Sequence, residues 1–574
     1  MKKIKIIFIS FIISIISFFI IFLIFKPVLI SDTVIFPYAV HPFNICEKQP
    51  EIWNSIKFLF SFTYIFSNSM IFNYIISKIF SRNKNVKQII KKENNELSLN
   101  IGFNSSNFLI NIPEKSLYQN ILITGTIGSG KTSSAMYPFT EQLIEYKSNS
   151  TEEKLGMLIL DVKGNYYSKV SEFAKKYKRE NDLIVIDLNG SIKYNPLDKP
   201  NLNSSVLADR LKTILLLFSP NNSEDFWLDK VQQLLSEAIK LCRLYNNNYV
   251  TFIELHNLVF FKDYYYEKVN FLKKLFLENK FSDEEIYNLY SSLNFFEKEF
   301  FSLDERTISI LKSEVSRITN LFISDYSIKN VFCPKKEEIN FSGFLDVINK
   351  GKIVVLNMNI AEYKNLSKLI AAYLKLDFQS EVISRLNNNN NNNNEDLLNI
   401  HNNYYSNRPV CFISDEFQEY VTETDGNFFS QCREAKCINI VSTQSYTSLL
   451  NTLHNDTSAK VIIQSLVNKL WFRNDDIFTI EEAQKQIGKE EKEKFSKTIS
   501  ENAKETNYNY IFNKFLSKNS NLSESINSYY QKDFIYDTNF FTRNLETFSC
   551  LAFLSDGNKI IDPQKLKLIP YFKK

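Results

Sequence analysis

The sequence predicts an α/β fold with a mainly parallel β-sheet, an inserted all-α domain and an N-terminal two-helix transmembrane anchor. Three observations support this prediction. A glycine-containing loop follows an apolar strand near residue 121, strand and helix patterns alternate on both sides of a long helical block, and two apolar stretches lie within residues 1–80. A chain of 574 residues can bury a large core without disulfides or metal ions.

The composition argues against several kinds of site. The seven cysteines are odd in number and widely scattered, which does not predict a disulfide framework. The four histidines do not cluster with the cysteines, so the sequence favours neither a zinc site nor thiol chemistry. A net charge of +4 is too small to indicate a class of partner.

The loop from Gly125 to Thr132 matches the phosphate-binding pattern G-x-x-x-x-G-K-[ST]. Such a loop turns backbone N–H groups toward phosphate at the start of a helix. Lys131 would pair with the β- and γ-phosphates, and the Thr132 hydroxyl would ligate Mg²⁺. A chance match in a glycine-rich turn is the alternative, but the chain has only 12 glycines. The predicted nucleotide-binding residues are Gly125, Thr126, Ile127, Gly128, Ser129, Gly130, Lys131, Thr132 and Ser133.

The two apolar stretches predict a transmembrane hairpin over residues 1–80. Residues 4–25 are almost wholly apolar and long enough to span a bilayer, and a weaker span is predicted at 58–77. Basic residues precede the first span and follow the second, so the positive-inside rule places residues 26–57 outside and the chain after 78 in the cytoplasm. A cleavable signal peptide is the alternative for the first stretch, and a buried or interfacial helix for the second.

Strand and helix patterns alternate through residues 96–198, the predicted first part of a nucleotide-binding domain. Strands are predicted at 121–123, 157–160 and 183–187. This alternation predicts a doubly wound parallel sheet. From 199 to 337 apolar residues recur at helical spacing, which predicts an all-α domain inserted into the sheet.

The alternation resumes in residues 338–574, the predicted second part of the nucleotide-binding domain. Strands are predicted at 352–358, 410–413, 438–443, 470–472 and 551–554, and a helix at 365–386. An asparagine-rich segment at about 387–408 predicts a disordered loop, because it has little apolar surface to bury. Residues 475–545 are predicted to be mostly polar and helical.

A second strand end carries the acidic residues that a P-loop needs. The segment VCFISDEF at 410–417 is an apolar strand ending in Asp415 and Glu416. Asp415 would hold Mg²⁺, and Glu416 would polarise the attacking water. The alternative is an acidic pair that faces solvent.

Two further residues are candidates for the catalytic site. The strand at 438–443 ends at Gln444, which would face the γ-phosphate and could sense hydrolysis. Arg433 precedes that strand and could reach the phosphates of a neighbouring subunit as an arginine finger. The alternative for Arg433 is an exposed helix residue.

The order of these parts resembles type IV secretion system coupling proteins of the TraG/TraD class. The P-loop is the specific motif, and the remaining similarity lies in the order and spacing of weaker ones. These are Pro138 after the P-loop, DVKG at 161–164, YNPLD at 194–198, DFW at 225–227, DERTISI at 304–310, FRNDDIFTIEEAQKQIG at 472–488 and the segment DPQKLKLIPYF near the C-terminus.

This resemblance implies a RecA-like P-loop ATPase that uses ATP and Mg²⁺ and assembles as a homo-oligomer, by family analogy a hexamer. It would lie in the bacterial inner membrane as a multi-pass protein with a cytoplasmic ATPase domain. It would couple a relaxase–single-stranded DNA complex, protein effectors or both to type IV secretion channel proteins, and the all-α domain would meet the cargo. The alternatives are an FtsK/HerA-like translocase of double-stranded DNA and a docking receptor that hydrolyses ATP weakly.

Overall fold

The computed structural model divides the chain into two units, residues 1–95 and 96–574. It describes residues 15, 16, 18, 62–72, 96–218, 225–278, 280–390, 407–453, 455–502, 507–509, 514–516 and 521–573. The predicted span 4–25 lies outside these residues, except for residues 15, 16 and 18. Of the predicted span 58–77, residues 62–72 are described, and they are helical.

The helix at 62–72 exposes apolar side chains along its length. Phe62, Phe66, Met70 and Ile71 are all more than half exposed. The polar side chain of Asn68 is satisfied within the helix, since its Nδ2 donates to the Tyr64 carbonyl at 2.9 Å. Among the described residues, no helix is both long and apolar enough to cross a bilayer.

The second unit is built on an 11-stranded sheet in the order β2-β1-β15-β14-β9-β3-β8-β7-β4-β6-β5. Neighbouring strands from β9 to β5 are parallel, and those from β2 to β9 are antiparallel. The strands of this sheet are β1 (Ser98–Phe103), β2 (Leu109–Pro113), β3 (Ile121–Thr124), β4 (Gly156–Leu160), β5 (Leu183–Ile186), β6 (Ile353–Leu356), β7 (Val410–Ser414), β8 (Cys437–Thr443), β9 (Asn468–Phe472), β14 (Ser549–Phe553) and β15 (Gln564–Lys567). Two small ribbons contain β10 (Lys489–Asn502) with β13 (Asn521–Phe534), and β11 (Asn507–Asn509) with β12 (Lys514–Leu516).

Helices connect the strands and fill the insertion. They are α1 (Glu114–Leu117), α2 (Tyr137–Glu145), α3 (Tyr166–Lys176), α4 (Ser204–Leu216), α5 (Asp225–Tyr245), α6 (Phe252–Phe260), α7 (Lys262–Leu277), α8 (Asp283–Asn294), α9 (Glu305–Ile323), α10 (Tyr326–Phe332), α11 (Leu345–Lys350), α12 (Ile360–Asn390), α13 (Asp425–Gln431), α14 (Tyr446–Leu453), α15 (Asp456–Ser465) and α16 (Ile477–Ile487).

The central strands are buried on both faces, as expected for a parallel sheet covered by helices. Leu158 and Leu160 of β4 pack into one hydrophobic core, while Met157 and Ile159 pack into the core on the opposite face. This division follows from the alternation of side chains along a strand. The predicted parallel strands are therefore present, and they carry apolar residues on both faces.

The region between β5 and β6 contains the inserted helices α4 to α10. Their apolar stripes join the core on one face of the sheet, to which Leu234 and Leu255 belong. Two of these helices begin with a capping box: Thr251 and Glu254 cap α6, and Ser282 and Glu285 cap α8. The described part of 199–337 is thus helical, as the sequence predicts.

The prediction that 475–545 is mostly helical is wrong beyond its first helix. After α16, β10 and β13 pair along their whole length, from Lys489 opposite Phe534 to Asn502 opposite Asn521. The Lys and Glu residues that fill β10 favour helices, but cross-strand pairing decides the conformation here. One face of this ribbon carries Phe495, Ile526 and Tyr530, which are 68%, 64% and 71% exposed.

The asparagine-rich loop is shorter than predicted at both ends. Helix α12 contains the predicted helix 365–386 and continues to Asn390, so the first four asparagines of the run are helical. At the other end Arg408 donates to the carbonyls of Thr151 at 2.6 Å and Asn349 at 2.9 Å, which anchors the chain before β7. The intervening residues 391–406 lie outside the part of the chain that the structure describes.

Candidate functional site: a P-loop and its acidic partner strand

The P-loop joins the end of β3 to a π-helical turn, Thr132–Met136, that continues into α2. Gly128 and Gly130 have φ of +77° and +95°, a region that favours glycine. A Cβ on Gly130 would lie 2.5 Å from the Phe548 ring, so this position also requires glycine for space. The loop is tied to the end of β9, because the Thr126 N–H donates to the Arg473 carbonyl at 2.9 Å.

Lys131 is folded back into the loop. Its ammonium donates to the Gly125 carbonyl and, at 3.4 Å, to the Thr126 carbonyl, and the residue is only 6% exposed. Burial lowers the pKa of Lys131, and the nearby charges of Glu416 and Asp415 oppose that shift. A buried ammonium that lies among loop carbonyls and near two carboxylates is suited to bind a polyphosphate.

Asp415 lies beside Thr132, although 283 residues separate them in the chain. The Thr132 hydroxyl donates to Asp415 Oδ2 at 2.8 Å. Burial is the main cause of the raised pKa of Asp415, and the hydrogen bond from the Thr132 hydroxyl opposes it. A divalent cation would favour the ionised form of this buried carboxylate. The two residues that the sequence predicts as metal ligands are therefore adjacent.

Glu416 is held by two amide side chains. Gln418 Nε2 and Gln444 Nε2 donate to Glu416 Oε2 at 2.9 Å and 3.3 Å. The backbone of Glu416 has φ 51° and ψ 51°, a left-handed conformation that non-glycine residues adopt at a cost, often at functional sites. The register explains the contact with Gln444, since β7 and β8 are parallel neighbours whose carboxyl ends meet at one edge.

A buried ion pair fixes the segment after Glu416. Lys375 Nζ of α12 lies 2.5 Å from Asp425 Oδ2 and donates to the Tyr420 carbonyl at 2.7 Å. Both charged side chains are fully buried. Removing one partner of such a pair is costly, because the other charge is left buried and uncompensated. The segment that follows Glu416 is therefore held in place by its contacts with α12.

Asp161 and Lys163 of the DVKG segment follow β4 and are not among the site residues predicted from the sequence. Lys163 Nζ lies 3.8 Å from Glu416 Oε1. The buried carboxylate of Asp161 accepts the N–H groups of Asn165 and Tyr166, both at 3.2 Å, at the start of α3. The position of DVKG at the end of a predicted strand was the available signal, because ligands of α/β sheets bind at the carboxyl ends of strands.

A cavity of about 620 Å³ opens beside the P-loop. It is lined by Thr126, Ile127, Gln444 and Arg473 and by residues from the segments on either side of the ribbon, among them Asp476 and Thr542. Arg473 directly follows β9 and is not among the site residues predicted from the sequence. Because β9 is next to β3 in the sheet, this arginine lies beside the P-loop.

Arg433 is not part of this cluster. It is exposed and lies four residues before β8, at the edge of the sheet where the parallel strands begin. The P-loop lies at the opposite edge, where these strands end. Any role of Arg433 at a nucleotide would therefore concern another subunit, which is the arginine-finger role predicted from the sequence.

The residues of the site fit ATP and Mg²⁺. The loop offers backbone N–H groups and a buried lysine, and one hydroxyl and one carboxylate face each other where the metal would lie. Mg²⁺ is usually held by one or two such ligands together with phosphate oxygens and waters. The described residues contain no cluster of three or more His, Cys, Asp or Glu side chains that could hold a metal without a nucleotide.

Comparison with solved structures identifies the fold. The chain is similar to the bacterial conjugative coupling protein TrwBdeltaN70 in an unbound form, with 11% identity, a TM-score of 0.52 and coverage of 84% of this chain and 90% of that chain. It is similar to the plasmid coupling protein TrwB with the GTP analogue GDPNP, at 12% identity, a TM-score of 0.52 and coverage of 84% and 91%. It is also similar to TrwB in complex with ADP and Mg²⁺, with 12% identity, a TM-score of 0.51 and coverage of 84% of this chain and 91% of that chain.

Sequence comparisons add no relative. No protein-family model matches the chain, and no curated protein matches its sequence significantly. The likeness thus lies in the order and packing of the elements rather than in residue identity. The chain has the fold of a conjugative coupling protein, as the order of its motifs predicts.

Proposed function

We propose that this chain is an ATPase that couples cargo to a type IV secretion channel and powers the transfer of that cargo. The observation that carries the proposal is the bond between Thr132 and Asp415, which joins the P-loop to its acidic strand within a coupling-protein fold. Glu416 and Gln444, at the ends of neighbouring strands, complete the group of candidate catalytic residues. The cargo is a relaxase–single-stranded DNA complex, protein effectors or both.

ATP and Mg²⁺ are the proposed cofactors. The metal, when bound, would neutralise the negative charge of the phosphates. Lys131 would bind the β- and γ-phosphates, Thr132 and Asp415 would hold the metal, and Glu416 would orient and deprotonate the attacking water. The solved complex of TrwB with ADP and Mg²⁺ supports this choice of ligands.

The membrane location is proposed from the sequence. Residues 4–25 and 58–77 would anchor the chain in the bacterial inner membrane, with the ATPase unit in the cytoplasm. The exposed apolar side chains of the helix at 62–72 are consistent with a lipid environment. This anchor would hold the motor next to the channel proteins that receive the cargo.

A transfer assay tests the proposed function. Deleting the gene from donor cells should abolish transfer of plasmid DNA or of a tagged effector to recipients, and the full-length gene supplied in trans should restore it. Donor growth and chromosome segregation serve as the control and should stay normal. Normal transfer together with a segregation defect would instead identify a translocase of duplex DNA within one cell.

We further propose that the chain works as a homo-oligomer, with a hexamer as the expected form, in which Arg433 acts on a neighbour's nucleotide. Arg433→Ala and a P-loop variant, Lys131→Ala, should each be inactive as pure samples. In randomly mixed 1:1 oligomers, about a quarter of head-to-tail interfaces would combine an intact P-loop with an intact arginine. The ATPase rate of the mixture should rise to about that fraction of the wild-type rate.

The neighbouring Glu434, also exposed, gives the matched control. Glu434→Ala should keep the wild-type rate without mixing. If the mixture of Arg433→Ala and Lys131→Ala shows no gain over its pure components, Arg433 is an ordinary surface residue.

A further inference from the structure

Three groups converge on the two carboxylate oxygens of Glu416. Gln418 and Gln444 donate to Oε2, whereas the Lys163 ammonium lies 3.8 Å from Oε1. The Lys163 side chain is 58% exposed. An ion pair with such an exposed partner contributes little to the stability of the fold, so stabilisation does not explain this contact well. Its effect would be to orient the carboxylate.

The loop that carries Lys163 is fixed by the chain segment that leads from β6 into α12. The Ile360 N–H donates to the Val162 carbonyl at 3.0 Å. Gly164 has φ of +70°, and a Cβ there would lie 3.2 Å from the backbone nitrogen of Asn359. The loop therefore lies flat against the start of α12, and its position depends on that segment.

Lys163 lines a polar cavity of about 280 Å³. Asp187 and Asn189 line it from the connection that leads from β5 to the all-α domain, and Asn357, Asn359 and Glu362 line it from the segment that enters α12. Helix α12 packs against the all-α domain, where its Asp377 pairs with Arg210 of α4 at 3.1 Å. The first turn of α12 is strained, because Lys364 has φ 44° and ψ −123°. Such conformations are costly for a non-glycine residue and are often found where a segment changes conformation in function.

We propose that Lys163 is a positioning residue for Glu416 and that its loop transmits the position of the all-α domain to the ATP site. When Val162–Gly164 follows the segment 357–364, the ammonium moves with it and changes the orientation of Glu416. Hydrolysis would then respond to what the all-α domain binds. This inference rests on the proposed ATPase function and assigns a regulatory contact to the same site.

Lys163→Met removes the charge but keeps the length of the side chain. The full-length variant should show kcat for ATP lowered about 10- to 100-fold, the size expected when a catalytic group is misplaced. KM for ATP should stay within about two-fold of the wild-type value, because Lys163 contacts Glu416 and not the P-loop. Lys163→Arg should recover most of kcat. Lys175→Met, at an exposed lysine of α3, is the control and should behave as wild type.

Two combinations separate positioning from a general structural effect. In a Glu416→Gln background, Lys163→Met should cause no further loss of single-turnover rate, since coupled residues are not additive. Gly164→Ala, which pushes the loop away from Asn359, should lower kcat as Lys163→Met does. In the double variant, the loss of kcat should be smaller than the product of the two single losses.

The outcomes that overturn the inference are distinct from those that overturn the function. A wild-type chain that does not hydrolyse ATP would contradict the proposed function. If the wild type is active and Lys131→Ala is inactive, but Lys163→Met keeps its kcat, only the positioning role is wrong. Multiplicative losses in the Glu416→Gln background would likewise assign Lys163 a role independent of Glu416. A normal kcat for Gly164→Ala would remove the link to the all-α domain.

Discussion

Replacing Lys131 with alanine is expected to abolish ATP turnover by the full-length chain and, with it, transfer of cargo to recipient cells. The ammonium is buried within the loop and is the cation nearest to where the β- and γ-phosphates would lie. Alanine removes this charge and leaves Asp415 and Glu416 to repel the phosphates. Steady-state phosphate release and transfer frequency are the two measurements.

A thermal-unfolding assay shows whether the Lys131→Ala variant is folded. ATP with Mg²⁺ should raise the unfolding temperature of the wild-type chain, because a ligand stabilises the state that binds it. The variant should unfold at a similar temperature without nucleotide but show a much smaller shift with it. Lys175→Ala is the control and should keep the full shift and the full rate. Transfer by Lys131→Ala at the wild-type frequency would refute the motor interpretation.

Replacing Glu416 with glutamine is expected to separate binding from turnover. Glutamine has nearly the same shape, so the P-loop, Thr132 and Asp415 should still bind nucleotide and metal. The amide cannot accept a proton from water, and loss of a general base costs about 10²- to 10⁴-fold in rate. We expect the ATP-induced thermal shift to persist while single-turnover phosphate release falls by that factor.

A nearby glutamate offers a close control for this variant. Glu419 follows in the same turn and pairs with Lys368 at 2.5 Å, away from the P-loop. Glu419→Gln should retain most of the turnover rate. Unchanged phosphate release by Glu416→Gln would assign the activation of water to another group.

The main parts of the site could be predicted from sequence because they follow a simple geometric rule. Asp415, Glu416 and Gln444 each come directly after a buried strand, and parallel strands end at the same edge of a sheet. Lys163 and Arg473 also follow strands, β4 and β9, but the rule alone does not say which side chains they contact. Their contacts depend on which strands are neighbours, and β4 lies beside β7 only because the sheet is not built in chain order.

The ribbon of β10 and β13 could not be predicted from the sequence for a different reason. Its strands are rich in Lys, Glu, Ser and Asn, so the local composition favours helix or coil. Within β13 alone, Ile526 and Tyr530 are four residues apart, a spacing that places side chains on one face of a strand and also of a helix. The spacing therefore does not distinguish helix from strand, and the pairing of β10 with β13 decides between them.

The position of β3 between β8 and β9 has a consequence for synthesis of the chain. The strand that leads into the P-loop has no neighbours in the sheet until the ribosome has made residues 437–472. Long-range pairing of this kind makes folding slow and leaves apolar strand edges exposed in the meantime. Nascent chains would therefore need protection by chaperones, and they would acquire an ATP site only late in translation. An incomplete chain would thus consume no ATP.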